Sequence, residues 1–355
     1  MAMQLDDYRL LGRSGLRVSP LALGTMTFRV GSGSWGSSDE EARAMVDMYL
    51  EHGGNFIDTA DFYGQMGQSE VLLGELMKGR RDGAVISTKY SLTTKPGDPN
   101  ASGNHRKNMV RSVEDSLRRL NTDYIDLLYL HMWDFRTPVD EILRSFDDLV
   151  RQGKVLYIGL SDTPAWQASR MQAIAELRGW TQFCALQIQY SLVERTVERE
   201  LIPMAHEMGL GVSPWSPLGA GLLTGKYTRA DLGSGDMSDI GSRKAINAVT
   251  GKLNARNLDI ADRVVEVARE IGCTPAQLAV AWTLTNPAVS SPVIGVRTPA
   301  QLEDNLGALA VDISAEQLAR LDEVSAVPPV FPMDVLRGPA EGMMFGNVRV
   351  QERTT

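Results

Sequence analysis

Eight short apolar segments, each with the composition of a buried strand, recur along the chain, and most of them begin 25–40 residues apart. They cover residues 21–24, 56–58, 84–89, 124–131, 155–160, 184–187, 211–213 and 292–294. Amphipathic segments of helical period lie between them. Alternation of buried strands with helices is typical of parallel β/α architecture. Eight such units within 355 residues predict an α/β fold, a (β/α)8 TIM barrel, rather than an open sheet with a second domain.

The predicted barrel accounts for nearly the whole chain. We expect a single domain over residues 1–355, with a core of about 8–325 preceded by an N-terminal β-hairpin. About 80 residues separate the seventh and eighth strands, and the polar, glycine-rich stretch 229–245 within them predicts a long loop between the seventh strand and its helix. The tail, 326–355, carries Pro and Gly without helical period, which predicts an irregular segment packed on the barrel.

Composition and charge argue against several classes of function. The net charge of −8 and the lack of a basic patch disfavour a nucleic-acid partner or an anionic membrane surface. Apolar runs are too short for a membrane span, and no signal peptide is indicated, so a cytoplasmic protein is expected. Cys184 and Cys273 are expected to be buried free thiols, and the four histidines lack metal-ligand spacing, so no metal site is expected. Assembly into a homo-oligomer is left open.

The stretch GSGSWG, residues 31–36, has the G-x-G-x-x-G spacing of a dinucleotide-binding loop, and the acid Asp58 lies 22 residues past Gly36. In that motif the glycines lead directly from a strand into a helix. Here the first strand is predicted to end at Gly24, and the helix to begin after Gly36 with a serine N-cap at 37 or 38. The stretch is therefore predicted to be a loop at the barrel mouth, with Trp35 available to a substrate.

Four residues at the predicted strand ends point to one chemistry. Asp58, Lys89 and His131 end the second, third and fourth strands, and Tyr63 follows in the loop after the second. Taken singly, they could be a turn cap, an ion-pair partner, a core histidine and a packing aromatic. Together at one rim, a lysine ammonium and an imidazole would lower the pKa of Tyr63 while Asp58 holds the ammonium. Such a phenol can protonate a developing alkoxide, which suits ketone or aldehyde reduction given a hydride donor.

From about Tyr8 to Val324 the chain resembles the aldo-keto reductase superfamily. The segments that carry the resemblance are GGNFIDTADFYGQMGQSEVLLGELMKG, VISTKYS, SVEDSLRRLNTDYIDLLYLH, GKVLYIGLSD, QIQYSLVER, SPWSPLGAGLLTGKY and VIGVRTPAQLEDNLGA. It is most similar to the branch that includes bacterial aldo-keto reductases and β subunits of voltage-gated potassium channels. The resemblance implies a catalytic tetrad of Asp58, Tyr63, Lys89 and His131, with Tyr63 as the proton donor.

The resemblance also implies NADPH bound across the barrel mouth without a Rossmann fold. The implied cofactor-binding residues are Gly24, Thr25, Met26, Asp58, Ser161, Asp162, Gln187, Trp215, Ser216, Pro217, Leu218, Gly221, Lys226, Gly295, Arg297, Thr298, Gln301, Asp304 and Asn305. Among them, Ser161, Asp162 and Gln187 would hold the nicotinamide carboxamide, and Trp215 would stack on the ring. Asp162 departs from the more frequent asparagine of the family.

The phosphate end of this site also has support from the residues themselves. Thr298 is a candidate N-cap and Pro299 suits the first helical position. Helix N-termini bind phosphate, and Arg297 adds a fork of donors suited to a 2′-phosphate, which favours NADPH over NADH.

The substrate pocket is expected to be aromatic and apolar, suited to a hydrophobic small-molecule carbonyl. Its candidate residues are Met26, Phe28, Trp35, Phe62, Tyr63, Tyr90, His131 and Trp133, with a possible contribution from the tail. Two alternatives stand beside a reductase. One is an NADP-binding regulatory or scaffold subunit with slow turnover, and the other is an aldolase that uses Lys89 as a Schiff base.

Overall fold

Eight parallel strands close into a barrel in which neighbours in sequence are hydrogen-bonded neighbours in space. The computed structural model describes residues 3–30, 36–232, 247–336, 339–346 and 348–349. The barrel strands are β3 (Ala22–Gly24), β4 (Phe56–Asp58), β5 (Val85–Tyr90), β6 (Ile125–Leu130), β7 (Val155–Ser161), β8 (Ala185–Gln189), β9 (Gly211–Trp215) and β10 (Val293–Gly295). Before them, β1 (Arg9–Leu10) and β2 (Arg17–Val18) form an antiparallel hairpin. The predicted (β/α)8 barrel and its N-terminal hairpin are confirmed.

Helices cover the outside of the barrel. They are α1 (Asp39–Glu51), α2 (Tyr63–Leu76), α3 (Arg106–Leu120), α4 (Val139–Arg151), α5 (Ala165–Arg178), α6 (Leu201–Met208), α7 (Ala255–Ile271), α8 (Pro275–Leu284), α9 (Pro299–Leu306), α10 (Ala315–Ser325), α11 (Met333–Leu336) and α12 (Pro339–Phe345). Short 3-10 turns occupy Arg81–Gly83, Thr196–Glu198, Gly219–Thr224, Arg229–Asp231 and Gly307–Ala310. In the first helix Ser38 is the N-cap and forms a reciprocal capping box with Glu41, which fixes where α1 begins. None of the described helices is long and apolar enough to cross a membrane.

Strand register aligns the functional end of the barrel. Asp58 pairs with Gly24 on one side and with Ser87 on the other. Along β5 successive side chains alternate between the interior and the helices, as strand geometry requires. Lys89 faces inward to Asp58, whereas the hydroxyl of Thr88 faces outward and donates to Glu70 on α2. The amino end of the barrel is filled by apolar side chains from the hairpin and the strands, including Leu11, Val18, Ala22, Phe56, Val85 and Leu127.

The structure also bears on the predictions for the tail, the two cysteines and the two glycine-rich stretches. The tail is not wholly irregular, because α11 and α12 form within it, and its beginning is fixed where Arg199 donates to the Pro328 carbonyl oxygen at 2.9 Å. Both cysteines are free, but only Cys184 is buried, whereas Cys273 is partly exposed. Most of the predicted long loop (233–246), and all of GSGSWG except Gly36, lie outside the described residues. Trp35 is among them.

Candidate active site

A buried ion pair lies at the carboxyl ends of β4 and β5. Lys89 Nζ is 2.6 Å from Asp58 Oδ2 and also donates to the Thr59 carbonyl oxygen at 2.8 Å. The other carboxylate oxygen, Asp58 Oδ1, accepts hydrogen bonds from Ser87 Oγ at 2.7 Å and Gln187 Nε2 at 2.9 Å. Removing two charges from water is costly unless further hydrogen bonds satisfy them. These partners supply such bonds, so the pair is held in one geometry.

Tyr63 and His131 complete the group around the Lys89 ammonium. Lys89 Nζ lies 4.9 Å from the centroid of the Tyr63 ring. The Tyr63 and His131 rings meet edge to face, with centroids 5.9 Å apart and planes at 81°. The buried Nδ1 of His131 has no hydrogen-bond partner among the described residues. The structure therefore brings all four residues of the predicted tetrad to one rim and leaves a polar atom of His131 without a protein partner.

Burial sets the protonation state of each group at this rim. It alone would lower the pKa of the Lys89 ammonium, but Asp58 and Tyr63 together raise it by more. Burial, together with the charge of Lys89, lowers the pKa of His131 to about 3, so the imidazole is neutral. For Tyr63, burial raises the pKa more than Lys89 lowers it, so the net shift is upward. The sequence-based expectation of a lowered Tyr63 pKa was wrong, because desolvation outweighs the ammonium, although Lys89 acts in the expected direction.

The ends of β7, β8 and β9 bring four of the predicted nicotinamide-binding residues together. Ser161 pairs with Gln187 in register, and both are buried. Trp215 donates from its indole Nε1 to Asp162 Oδ1 at 3.1 Å. Gln187, predicted to hold the carboxamide, donates from Nε2 to Asp58 Oδ1 at 2.9 Å. The carboxyl ends of β7–β9 thus form one polar wall beside the tetrad.

Candidate phosphate-binding residues follow β9 and β10. Gly219, Ala220 and Gly221 all have positive φ, and the ammonium of Lys226 lies against Gly221, with Nζ 2.9 Å from where a Cβ would stand. In the same turn Ser216 Oγ accepts from the Ala220 amide at 2.9 Å. After β10, Thr298 caps α9 with Pro299 in its first turn, and Arg297 is exposed beside them. Ammonium, guanidinium and helix N-terminus form a donor set that fits the phosphates of a dinucleotide.

The remaining cofactor candidates divide into two groups. Gly24 and Thr25 are buried at the end of β3, Met26 is exposed at the mouth, and Gly295 has open space around its Cα. Gln301 and Asp304, predicted to face the adenine, have partners within the fold. The Gln301 side chain accepts from the Arg297 amide at 2.9 Å, and Asp304 accepts from Thr274 and Gln277 at the start of α8, both at 3.0 Å. Asn305 is buried.

The structure contradicts two of the substrate-pocket candidates. Phe28 is fully buried in the core formed with β3 and α1, so it does not line an open pocket. Tyr90 follows the inward-facing Lys89 and therefore points to the opposite side of β5. There its ring packs against Phe146 at 5.8 Å, and its hydroxyl donates to the Asn104 carbonyl oxygen at 3.3 Å.

Trp133 lines a cavity of about 610 Å³ between the loops that follow β5 and β6. Two acids that sequence reasoning missed join these loops. Asp134 accepts from the Asn104 amide at 2.7 Å, and Glu141 accepts from the Arg106 amide at 3.0 Å. Ser87 was also missed, although its position two residues before Lys89 on one strand could have placed it on the inward face.

These features agree with comparisons to known proteins. A model of the Aldo/keto reductase family matches residues 20–326. The chain belongs to this family. It is 39% identical over 335 residues to a norsolorinic acid reductase of Emericella nidulans, covering 91% of this chain and 82% of the relative. It is 38% identical over 331 residues to an uncharacterised oxidoreductase of Bacillus subtilis, covering 91% and 97%. It is 37% identical over 328 residues to an aryl-alcohol dehydrogenase of Pestalotiopsis microspora, covering 90% and 82%.

Membership confirms the resemblance carried by the sequence motifs. It supports an oxidoreductase that acts on carbonyl groups with a nicotinamide nucleotide, and it accounts for an eight-stranded barrel with its polar groups gathered at the carboxyl ends of the strands.

Proposed function

We propose that this aldo/keto reductase reduces aldehydes and ketones to alcohols with NADPH, and that Tyr63 is the general acid. The observation that carries the proposal is the buried Asp58–Lys89 pair, at 2.6 Å, beside the phenol of Tyr63 and a neutral His131. A charged lysine, a phenol and an uncharged imidazole at one rim are the groups that proton delivery to a carbonyl oxygen requires.

The residues after β9 and β10 fit NADPH. Lys226 beside Gly221, together with Arg297 at the capped start of α9, would take the phosphates, including the 2′-phosphate that distinguishes NADPH from NADH. Ser161, Asp162 and Trp215 would hold the nicotinamide end. When bound there, the cofactor supplies the hydride.

Within the tetrad each side chain has a distinct task. Asp58 keeps the Lys89 ammonium charged and in place. The ammonium polarises the phenol, whose proton passes from the Tyr63 hydroxyl to the substrate oxygen as that oxygen becomes an alkoxide. His131, neutral because its pKa is about 3, donates an N–H to the same oxygen and orients the carbonyl. The raised pKa of Tyr63 keeps the phenol protonated at neutral pH, which is the form that a reductase needs.

The mouth favours hydrophobic, aromatic carbonyls. Apolar side chains on three different loops are exposed there: Met26 after β3, Phe62 and Met66 after β4, and Met132 and Phe135 after β6. Exposed apolar side chains gathered around a site are typical of ligand binding. An aryl-alcohol dehydrogenase among the relatives supports aromatic aldehydes as the first substrates to test.

A panel of aromatic and aliphatic aldehydes and ketones, followed by NADPH consumption, tests this function. Replacing Tyr63→Phe should lower kcat by about 10²–10⁴-fold, the usual contribution of a general acid, while NADPH still binds. Tyr124→Phe is the matched control, since this hydroxyl donates to Asp82 next to the amino end of β6 and should leave kcat unchanged. Equal rates for wild type and Tyr63→Phe would overturn the proposal in favour of a regulatory, slowly turning over subunit.

An aldolase is disfavoured by the electrostatics of Lys89. A Schiff base needs a neutral amine, and the pKa of Lys89 is raised by its partners. Borohydride trapping of substrate on Lys89 would reverse this assignment.

A further inference from the structure

Asp162 connects three neighbouring segments of the barrel mouth. Its carboxylate Oδ1 accepts from Trp215 Nε1 at 3.1 Å on β9. Its backbone N–H donates to the Gln187 carbonyl oxygen of β8 at 3.3 Å, and its own carbonyl oxygen accepts from the Trp133 amide after β6 at 3.4 Å. Its φ of 36° lies in the left-handed region, which aspartate and asparagine tolerate better than other residues with a side chain. The backbone at 162 is therefore fixed, and the carboxyl group is held against the indole.

The charge of this carboxyl group has no counterion of its own. Among the described residues no lysine or arginine forms an ion pair with Asp162, and its side-chain partner, the indole, is neutral. Two cations lie around this part of the mouth, and each has another contact. Lys89 is paired with Asp58 at 2.6 Å, and Lys252 Nζ lies 5.8 Å from the centroid of the Trp215 ring. Burial raises the pKa of Asp162 by more than the Trp215 hydrogen bond and the charge of Lys89 lower it, so the net shift is upward.

We propose that Asp162 makes the barrel mouth bind the oxidised nicotinamide nucleotide more tightly than the reduced one. The inference rests on the proposed function, in which the nicotinamide lies against Trp215. The oxidised ring is a cation and the reduced ring is neutral, so a largely desolvated carboxylate beside the ring attracts only the oxidised form. Holding Trp215 and discriminating between redox states would then be two effects of one side chain. Tighter binding of the oxidised nucleotide shifts the equilibrium on the protein towards NADP+ and alcohol, so the second effect favours carbonyl reduction.

Asp162→Asn separates the two effects, because asparagine keeps the shape, the tolerance of left-handed φ and an oxygen that accepts from Trp215, and loses only the charge. The dissociation constants of NADP+ and NADPH are measured by calorimetry at pH 7.5 for wild type and variant. We expect affinity for NADP+ to fall roughly tenfold or more and affinity for NADPH to change by less than about threefold, since one charge interaction of ordinary strength is worth about a factor of ten.

A second variant removes the indole and keeps the charge. Trp215→Phe should weaken both nucleotides and leave their affinity ratio close to that of wild type. A ratio that falls as much in Trp215→Phe as in Asp162→Asn would show that the indole geometry sets the preference and would overturn the inference. So would an unchanged ratio in Asp162→Asn.

Failure of the underlying function has a different signature. If wild-type protein binds neither nucleotide, the proposed cofactor is wrong and this inference falls with it. If both nucleotides bind and the Asp162→Asn ratio equals that of wild type, the proposed function stands and only the role of Asp162 is rejected.

Discussion

The two ends of the barrel are both buried, yet they differ in the side chains that they enclose. At the amino end, Leu11 and Val18 of the hairpin pack on the apolar floor of the barrel, and the hydroxyl of Tyr49 bonds to the backbone of two strands. At the carboxyl end a charged pair is buried, and Nδ1 of His131 has no partner among the described residues. Buried polar groups in folded proteins are normally hydrogen-bonded. The unpartnered Nδ1 of His131, beside the charged pair, marks the place where the protein leaves a bond for a ligand.

This difference separates stability from function along one axis of the molecule. At neutral pH, substitutions at the amino end should change the free energy of unfolding and leave kcat unchanged, whereas substitutions at the carboxyl end should mainly change kcat. Three measurements at the two ends test this division.

The largest effect on stability is expected for Gly12→Ala at the closed end. Gly12 has φ +56°, and a Cβ there would lie 2.4 Å from the Cys184 carbonyl oxygen and 2.5 Å from that of Gly209. Both contacts are with backbone that cannot move aside, so left-handed strain and overpacking add to about 2–5 kcal/mol. A lower urea midpoint, with unchanged kcat per folded molecule, is the expected outcome.

Gly15→Ala is the matched control for this prediction, because it lies in the same hairpin with no atom within 4 Å of the added Cβ. Its unfolding free energy should change by less than about 0.5 kcal/mol. If Gly12→Ala is as stable as Gly15→Ala, the hairpin does not close the barrel as described.

The fold could be predicted from the sequence because each strand is short, apolar and separated from the next by an amphipathic helix. The position of the tetrad could be predicted as well, because the carboxyl end of a barrel strand fixes where the residues at that end lie. Tyr90 shows where this reasoning stops. Proximity to Lys89 suggested a shared pocket, but adjacent residues of a strand face opposite sides. Phe28 follows β3, and Asp304 lies in α9. Residues distant in sequence decide what these two side chains contact, so no local sequence pattern predicts those contacts.

The second prediction concerns the open end and the pH dependence of its stability. The pKa of His131 is about 3 in the folded protein, below the ordinary value of 6.5, because the buried ring resists charging. As the pH falls below 6.5 the unfolded chain binds a proton that the folded protein does not, so stability decreases as the pH falls towards 3. Between pH 6.5 and 4.5 this amounts to about 2–3 kcal/mol.

Urea unfolding of wild type and His131→Asn from pH 7 to 4.5 measures this contribution, since the variant lacks the titrating group and should lose less stability over the range. His206→Asn, on the exposed side of α6, should retain the wild-type slope. Parallel pH profiles for wild type and His131→Asn would mean that His131 is not held neutral by burial.

The smallest expected effect on stability comes from removing a tyrosine hydroxyl. The same substitution at the two ends of the barrel, at Tyr49 and at Tyr63, gives the sharpest contrast between stability and kcat. The buried Tyr49 hydroxyl lies 2.7 Å from the Leu21 carbonyl oxygen, 2.9 Å from that of Phe56, and accepts from the Phe56 amide at 3.2 Å. Tyr49→Phe leaves these groups at the amino ends of β3 and β4 without that partner, which should cost about 1–2 kcal/mol of unfolding free energy and none of kcat.

Tyr63→Phe deletes the equivalent atom at the other end of the barrel, where we propose that the hydroxyl serves the substrate. It should lose about 10²-fold or more of kcat and less than about 0.5 kcal/mol of stability. A Tyr49→Phe variant that lost activity at full stability, or a Tyr63→Phe variant that unfolded without losing turnover, would mean that the two ends share both tasks. Opposite readouts from two identical substitutions would instead show that the Tyr49 hydroxyl serves stability at one end of the barrel and the Tyr63 hydroxyl serves turnover at the other.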